Sequence, residues 1–410
     1  MESRRNTILV TIDSLRADHC HFMGYDREVT PTLDDMAEDG LVFSNAIAPG
    51  PATGGSVPAT VTGSRPVESP DRGPDNSDWG EKVRHHFLAR ETIAERFSRL
   101  GYETGAFTTN PWASRQYGFD AGFDHFEDFL GDDSNGDDTP KLRGDSTFAR
   151  VWGHLEDWWR NNDVFLPWEA YVEEVLDWID TVEEPYFLWV FLIDVHMPYH
   201  PPAEFRSRSA VATVPAHVWL LTGGDPRLGP LFRSPLVDAY DDSIRYADAF
   251  LGHLRDEVGT DPLLVVHGDH GDEFGEHGAY GHGSNLCEEV INVPLVVANG
   301  PTGWVERPVS LSELPDVLLS LAQEEEVDLE DPYVYSGNPN RLAVRGDRWK
   351  YVWNSGDSKL YHLEDGSEEQ VDHPALGNIG EQLVTEWREN RNERRRIREA
   401  VATVTGENGL

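Results

Sequence analysis

The segment VVHGDHGDEFGEHGAYGHG, Val265–Gly283, decides the fold. The apolar run Pro262–His267 predicts a buried strand, and Asp269 and His270 follow that strand across a single glycine. In an open α/β sheet, ligands bind at the carboxyl ends of the strands. A carboxylate beside an imidazole at this position predicts half of a metal site, and the other half has to come from the ends of other strands.

Other predicted strands also end in groups that bind metals. Asn6–Ile12 is followed directly by an acid, and Tyr186–Ile193 is followed by an acid and, two residues later, by a histidine. Carboxylates and imidazoles without a thiolate suit Zn²⁺, Mn²⁺ or Mg²⁺, and suit Ca²⁺ less because imidazole is a poor calcium ligand. The predicted site residues at strand ends or in the loop beyond are Asp13, Asp194, His196, Asp269, His270 and His282.

Between these strands the sequence has helical periodicity, so the order strand, acid, helix predicts an α/β fold with a large, mostly parallel central sheet sandwiched by helices. The predicted helices are Thr30–Gly40, Glu91–Leu100, Tyr171–Ile179 and Ala239–Leu254, and the remaining strands of this part are Leu41–Ala48 and Tyr102–Phe107.

The chain is predicted to have three parts. Residues 1–300 form the catalytic α/β domain, with an acidic insertion near residues 130–165 in which Asp132–Asp145 is predicted to be a surface loop or lid. Residues 301–378 contain short strands at Leu342–Arg345, Lys350–Trp353 and Leu360–Leu363 and form a small α+β subdomain. Residues 379–410 form a charged helix.

The composition excludes one class of partner. Acidic residues number 74 against 34 basic ones, for a net charge of -40, while 39% hydrophobic and 10% aromatic residues are enough for a folded core. An acidic surface with few lysines is typical of proteins adapted to a high-salt cytoplasm, where salt screens self-repulsion. A nucleic-acid partner is excluded because there is no basic face to contact phosphates.

The cysteines and the hydropathy predict a soluble cytoplasmic protein. Cys20 and Cys287 form no disulfide framework and have no CxxC spacing. The apolar run near the N-terminus is too short for a signal peptide, and no later run is long enough to span a membrane. The oligomeric state is not determined by the sequence.

The segment PGPATGGSVPATVTG, Pro49–Gly63, is rich in small residues that let a ligand approach the backbone. Ser56 and Pro58 predict the start of a short helix, whose free N–H groups would receive an anion, and Thr53 lies just before that start. A hydroxyl held against a metal at a helix N-terminus can attack phosphorus or sulfur. The alternative for this segment is a glycine-rich turn with a capping threonine.

Together these segments resemble the sulfatase family of the alkaline phosphatase superfamily. The resemblance covers nearly the whole chain outside the acidic insertion, and the matching segments occur in the family's order. They are Thr11–His19, Thr53–Gly63, Gly118–Asp124, Asp194–Pro202, Tyr240–Leu254, Val265–Gly283 and Val344–Glu369.

The sequence departs from the sulfatase pattern at the nucleophile. Sulfatases carry a Cys or Ser that is oxidised to formylglycine, and alignment on the end of the segment places Thr53 at that position, with Ser56 three residues later as the alternative. Threonine cannot become formylglycine, because oxidation of its secondary alcohol gives a ketone. Ser14, where sulfatases usually have a second aspartate, and His270, where they commonly have Asn, are further departures.

These departures resemble the threonine-using branch of the superfamily, which includes phosphodiesterases and the lipoteichoic acid synthase and phosphoethanolamine transferase enzymes. The resemblance implies that Asp13, Thr53, Asp269 and His270 hold one metal. It also implies that His196 and His282 face the substrate or complete a second metal site with Asp194, for which His200 and His277 are possible substitutes. Asn110 and Arg16 are predicted substrate contacts, and Arg65 is a further candidate for binding the charge of the ester.

The implied activity is metal-dependent hydrolysis of a sulfate or phosphate (di)ester through a covalent intermediate on Thr53. The substrate would be a small-molecule, glycan or lipid-headgroup ester. If an acceptor alcohol replaces water, the protein is instead a soluble phosphoryl-group transferase. A third hypothesis is a catalytically weak family member that acts as a binding protein.

Overall fold

The computed structural model describes residues 4–64, 77–130, 165–329, 331–338, 340–355, 357–364 and 367–405. The predicted lid at Asp132–Asp145 and the candidate Arg65 lie outside the described residues.

The strands are β1 (Thr7–Ile12), β2 (Leu41–Phe43), β3 (Ala46–Ile47), β4 (Glu103–Thr108), β5 (His125–Glu127), β6 (Tyr186–Leu192), β7 (Leu263–Gly268), β8 (Glu273–Phe274), β9 (Tyr280–Gly281), β10 (Asn292–Val293), β11 (Leu295–Ala298), β12 (Gly303–Val305), β13 (Val309–Ser310), β14 (Tyr333–Gly337), β15 (Arg341–Gly346), β16 (Trp349–Asn354), β17 (Asp357–Glu364) and β18 (Ser367–Gln370). The α-helices are α1 (Pro31–Asp39), α2 (Thr53–Thr62), α3 (Ser77–Leu88), α4 (Ile93–Arg99), α5 (Val172–Thr181), α6 (Ala210–Leu221), α7 (Gly229–Val258), α8 (Glu288–Ile291), α9 (Leu314–Ala322) and α10 (Pro374–Thr405).

An eight-stranded sheet, in the order β12-β2-β11-β7-β1-β6-β4-β5, forms the centre of the fold. The strands from β7 to β5 are parallel, whereas β11 is antiparallel to both of its neighbours. The large, mostly parallel sheet predicted from the sequence is therefore confirmed.

Both faces of the sheet are buried, which explains why its strands are apolar without interruption. From β1, Ile8, Val10 and Ile12 point into one core, where α1, α5, α6 and α7 pack. Leu9 points into the other core, where α2, α3, α4 and α9 pack. Each such buried aliphatic side chain stabilises the fold by roughly 1.5–3 kcal/mol, so the sheet is a firm support for groups at its edge.

The strand register decides which residues meet at that edge. Ile12, the last residue of β1, is level with Leu192 of β6 and with Gly268 of β7. Because these strands are parallel, the residues that follow them emerge side by side at the carboxyl end of the sheet. Segments far apart in sequence are thereby brought together.

The helix predicted at Thr30–Gly40 is present as α1, with Pro31 at its first turn. Gly40 ends this helix in a crowded place, since a Cβ there would come within 2.4 Å of the carbonyl oxygen of Met36 and 2.6 Å of that of Val297. The prediction of a single strand at Leu41–Ala48 is wrong, because this segment is split into β2 and β3, which belong to different sheets.

The small C-terminal sheet is antiparallel, in the order β14-β15-β16-β17-β18, and α10 packs on it through Val384 and Trp387. Lys350 of this sheet is fully buried and donates to Glu288 (3.1 Å) and Glu368, so an ion network joins the small sheet to α8. The predicted boundary near residue 300 falls before β12, β13 and α9, which belong with the large sheet and its flank.

Among the helices that the structure describes, none combines the length and apolarity needed to cross a membrane.

Candidate functional site

The candidate site lies at the carboxyl end of the large sheet. Asp13 follows β1, and Asp269 and His270 follow β7, the strand beside it. The Nε2 atom of His270 lies 3.6 Å from an oxygen of each carboxylate, and all three side chains are buried. The structure therefore brings together the groups at the ends of two strands that the sequence predicts as metal ligands.

A tight turn after β1 and a loop after β4 hold the carboxylates in place. Ser14 has a left-handed backbone (φ 62°), which lets its N–H donate to Oδ1 of Asp269 (3.0 Å) while its hydroxyl donates to Oδ1 of Asp13 (2.9 Å). Asn110, which the sequence predicts as a substrate contact, is fully buried and donates its amide to Oδ2 of Asp13 (2.5 Å). In the structure Asn110 thus supports the Asp13 carboxylate.

Among the described residues, this cluster sets two buried carboxylates beside a single imidazole. Burial, and after it the neighbouring Asp269 carboxylate, raises the pKa of Asp13 well above its usual range, and burial also raises the pKa of Asp269. The Oδ2 atom of Asp269 is buried and makes no hydrogen bond of normal geometry with any described residue. Two buried acids with one orphaned oxygen fit a bound cation.

The donor set also fits a divalent metal. One ligand atom each from Asp13, Asp269 and His270 lies within 4.8 Å of the others. The Nδ1 atom of His270 lies 3.1 Å from the carbonyl oxygen of Gly271, and burial lowers the pKa of the ring. A neutral ring that donates through Nδ1 keeps the lone pair of Nε2 for the centre of the cluster, the arrangement usual in metal-binding histidines.

Thr53 faces the same cluster from α2. Its hydroxyl oxygen lies 3.2 Å from Nε2 of His270, and both buried carboxylates interact with this hydroxyl. The prediction that the helix starts near Ser56 is wrong, because the carbonyl oxygen of Ala52 already accepts from the N–H groups of Gly55 and Ser56. Thr53 is consequently the first residue of α2, where backbone N–H groups have no partner within the helix.

Ser56, the alternative nucleophile, has a different environment. It is fully buried, and its hydroxyl donates to the backbone carbonyl oxygen of Asp269 (2.7 Å). This bond ties α2 to the segment after β7.

A second group of site residues consists of His282, Asp272 and His196. The Nδ1 atom of His282 lies 2.6 Å from Oδ1 of Asp272, and the ring centroid of His282 lies 4.3 Å from that of His270 and 5.2 Å from that of His196. Burial alone would raise the pKa of Asp272, but the neighbouring imidazoles, His282 first, bring it down to about 2. An ionised carboxylate behind His282 orients its ring.

Asp272 is a site residue that the sequence analysis missed. It lies within the central motif, but it does not directly follow one of the predicted strands, so its position does not mark it as a strand-end ligand. It is fully buried and also accepts from the hydroxyl of Tyr199 (2.6 Å). The motif contains the tripeptide His-Gly-Asp twice in succession, and Asp272 ends the second copy. This repeat could have identified Asp272 as a site residue.

Asp194 does not join the ligand groups found among the described residues. Its charged and phenolic neighbours are Glu169, Tyr171 and Tyr246, and burial raises the pKa of Asp194 to about 7. Its Oδ2 atom has no hydrogen-bond partner in the described part of the chain. The second metal site with Asp194 stays a prediction.

Arg16 is buried in contacts with its own chain. Its guanidinium donates to both carboxylate oxygens of Asp18 (2.8 and 2.6 Å), to the carbonyl oxygen of Asp272 (2.8 Å) and to Glu276 (3.1 Å). Arg16 therefore helps to position the loop of Asp272, and its contact with substrate stays a prediction.

His200 and His277, the possible substitutes for His196 and His282, have other partners. The Nε2 atom of His200 lies 2.9 Å from a guanidinium nitrogen of Arg206, and Nε2 of His277 lies 3.0 Å from Oε2 of Glu289.

Comparison with known proteins identifies the family. The sulfatase family matches residues 5–323. A sulfatase of Formosa agariphila is 23% identical over 437 aligned residues, which cover 90% of this chain and 80% of that protein.

Two solved structures share the fold. The phosphonate monoester hydrolase of Agrobacterium radiobacter superposes with a TM-score of 0.64 at 18% identity, covering 94% of this chain and 96% of that chain. The C-terminal periplasmic domain of EcEptC from Escherichia coli, in complex with Zn, superposes with a TM-score of 0.56 at 17% identity, covering 83% and 91%. Since the family match spans well over half of its length, the chain belongs to the sulfatase family, a family of ester hydrolases within the alkaline phosphatase superfamily.

Proposed function

We propose that this protein is a metal-dependent hydrolase that cleaves a sulfate or phosphate ester through a covalent intermediate on Thr53. The position of the Thr53 hydroxyl carries the proposal. It lies at the first turn of α2, 3.2 Å from Nε2 of His270, and interacts with both buried carboxylates. Ser56 is a poorer candidate, because its hydroxyl is fully buried and bonded to the backbone.

The residues that would hold the metal are Asp13, Asp269, His270 and the hydroxyl oxygen of Thr53. Their oxygen and nitrogen donors suit Zn²⁺, Mn²⁺ or Mg²⁺ better than Ca²⁺, and one structural neighbour was solved with Zn. When bound, such an ion lowers the pKa of the coordinated hydroxyl and stabilises the negative charge added in the reaction.

The chain's own groups account for bond making and breaking. Thr53 gives up its hydroxyl proton to solvent and its Oγ1 attacks phosphorus or sulfur, while the bond to the leaving oxygen breaks and that oxygen takes a proton from His282, which Asp272 orients at 2.6 Å. The first N–H groups of α2, which have no partner within the helix, receive an anionic oxygen of the ester. Water then attacks the same atom and His282 takes the water's proton. The bond to Thr53 breaks, and its Oγ1 regains a proton from solvent.

The charge around Thr53 favours a singly charged ester. The guanidinium of Arg16 is bonded to Asp18, Glu276 and a backbone carbonyl oxygen. The groups among the described residues that we assign to the ester, His196 and His282, are imidazoles without a permanent positive charge. A phosphodiester, a phosphonate monoester and a sulfate monoester each carry one negative charge at neutral pH, whereas a phosphate monoester carries nearly two. The first three are therefore the better substrates.

Other features of the proposal come from the sequence. The substrate is a small-molecule, glycan or lipid-headgroup ester, as the family resemblance implies, and water is the acceptor. We also propose a cytoplasmic location, as the cysteines and the hydropathy predict, and adaptation to high salt, as the acidic composition predicts.

The test is trapping of the intermediate. The protein, purified in high salt with Mn²⁺ or Zn²⁺, is mixed briefly with an aryl phosphodiester or with an aryl sulfate, quenched in acid and analysed by intact and peptide mass spectrometry. We expect an added phosphoryl or sulfuryl group on the peptide that contains Thr53. The proposal is refuted by a group mapped to Ser56, or by turnover of the sulfate with formylglycine formed from Ser56.

A further inference from the structure

A second set of metal-binding side chains lies outside the cluster of Thr53. It consists of His277, Cys287 and Glu289, and one ligand atom of each lies within 4.8 Å of the others. The Nε2 atom of His277 lies 3.0 Å from Oε2 of Glu289. Cys287 is only 6% exposed, whereas the side chain of His277 is 37% exposed, so an ion from solvent can reach the group.

Local structure places these three residues together. His277 is in the turn between β8 and β9, which is closed by hydrogen bonds from Gly275 to Ala279 (2.8 Å) and from Gly278 to Gly275 (3.2 Å). Cys287 is the residue before α8, and Glu289 lies in the first turn of that helix. The three ligands therefore bracket the segment that contains His282.

The donors match a borderline-soft divalent ion. Zinc binds thiolate sulfur at about 2.3 Å, imidazole nitrogen at about 2.0 Å and carboxylate oxygen at about 2.1 Å, so two ligand atoms of a tetrahedral site lie roughly 3.3–3.6 Å apart. The ligand atoms of this group lie within 4.8 Å of one another, so small side-chain movements would bring them to that spacing. We propose that His277, Cys287 and Glu289 bind a zinc-class divalent cation, with water as the fourth ligand, and that binding displaces the thiol proton of Cys287 to solvent.

The surroundings favour a cation over a simple ion pair. The His277–Glu289 pair needs no thiol, yet the sulfur of the buried Cys287 lies against it. The carboxylate of Glu273 interacts with both His277 and Cys287 and adds a further negative charge. The carboxylates of Glu273 and Glu289 bring two negative charges to one imidazole, and a divalent ion brings two positive charges to the same group.

This ion would fasten the segment that carries His282 to the backbone beside His270. The N–H of Gly271, the residue after His270, donates to the carbonyl oxygen of Val290 (2.8 Å), and the carbonyl oxygen of Glu289 would lie 2.1 Å from a Cβ at Gly271. A metal bound by His277, Cys287 and Glu289 would join the two ends of the segment that contains His282. It would do so next to the backbone contact of Gly271 with Glu289 and Val290. The role is structural, since the proposed reaction uses none of these three side chains.

Titration with Co²⁺ distinguishes this site from the Thr53 cluster, because only a site with a thiolate ligand gives a thiolate-to-cobalt absorption band. The full chain, treated with chelator and then titrated with Co²⁺, is expected to develop a thiolate-to-cobalt charge-transfer band that saturates at one ion per chain. The catalytic cluster contains no thiol, so it contributes no such band. Asp269→Ala should keep the band while losing cobalt from the catalytic cluster, which separates this site from the proposed function.

Three variants assign the band. Cys287→Ser should abolish it, and the matched variant Cys20→Ala, which alters the other buried free cysteine, should keep it. His277→Ala changes a half-exposed side chain, so the fold is retained, and it should weaken cobalt binding by at least the roughly tenfold seen when even a supporting residue of a metal site is lost. No band at saturating Co²⁺ in the wild-type chain, or an undiminished band in Cys287→Ser or His277→Ala, overturns the proposal.

Discussion

The hydroxyl oxygen of Thr53 lies 3.2 Å from Nε2 of His270, although the two residues are on different elements and 217 positions apart. The contact places an alcohol beside a neutral imidazole and two buried carboxylates. If these groups hold a metal ion, as proposed, the ion would lower the pKa of the Thr53 hydroxyl. The reaction proposed for this protein depends on that relationship.

Thr53→Ala should abolish turnover without unfolding the protein or removing its metal. The variant lacks the attacking oxygen but keeps Asp13, Asp269 and His270, so metal content by elemental analysis should stay near that of the wild type. We expect kcat to fall by roughly 10⁴-fold or more, as when other enzymes lose a nucleophile. Steady-state kinetics with an aryl phosphodiester and an aryl sulfate measure the loss.

The matched control for this variant is Ser56→Ala, which removes a hydroxyl three residues along the same helix. It loses the bond to the Asp269 carbonyl and so should cost about 1 kcal/mol of the free energy of unfolding, with kcat nearly unchanged. Equal losses of kcat in the two variants would argue against Thr53 as the nucleophile.

Asn110→Ala should weaken metal binding. Its amide donates to Oδ2 of Asp13 at 2.5 Å, and residues that hold a ligand in this way typically contribute about 10–100-fold to metal affinity. Activity should therefore fall at limiting metal and return when metal is added in excess. A raised KM that excess metal does not correct would instead support the direct substrate contact predicted from the sequence.

Asp272→Asn should slow the departure of the leaving group. It removes the negative charge 2.6 Å from Nδ1 of His282, and loss of a positioned proton donor costs about 10²–10⁴-fold. Esters of poorly acidic alcohols should lose far more rate than nitrophenyl esters, which leave without a proton. Tyr199→Phe removes only the second hydrogen bond of Asp272, so it should change both rates little, and an equal loss for both ester types in Asp272→Asn would contradict the role of His282.

Asp194 should make the protein less stable as the pH rises. Burial raises its pKa from 3.8 to about 7, so between these values the folded chain holds a proton that the unfolded chain has lost. The free energy of unfolding contributed by this group therefore decreases from pH 4 to pH 7, by up to about 4 kcal/mol. Asp194→Asn has no proton to lose, so its stability relative to the wild type should increase over that range.

Urea unfolding at pH 5 and pH 8, in the presence of a chelator, measures this difference. If the wild type and Asp194→Asn differ by the same amount at both pH values, Asp194 is ionised in the folded protein at pH 5. That result would contradict the prediction that burial keeps this carboxyl protonated in the folded protein.

Much of the fold follows from local pattern. The apolar runs that became β1, β6 and β7 are bounded by turn residues and are too short for buried helices, and α1 is marked by a proline at its start and a glycine at its end. These signals are read from neighbouring residues. The prediction of one strand at Leu41–Ala48 was wrong because the segment pairs with two different strands, β11 and β10. Both lie some 250 positions away in the sequence.

The candidate metal ligands could be predicted for a related reason. Asp13, Asp269 and His270 directly follow buried strands, and parallel strands present their ends at one edge whatever their exact order. The start of α2 could not be predicted in this way, because it depends on which carbonyl oxygen accepts the first hydrogen bond of the helix. The sequence predicted a start at Ser56, whereas the helix begins at Thr53.

The sequence by itself determined the α/β class, the apolar strands and the acids and imidazoles at their ends, because these depend on periodicity and composition within short windows. Only the tertiary structure decided that Asn110 supports Asp13, that Asp272 holds His282 and that Arg16 pairs with Asp18 and Glu276. The direction of a polar side chain depends on which partner reaches it first across the fold. That partner is set by packing and not by neighbouring sequence.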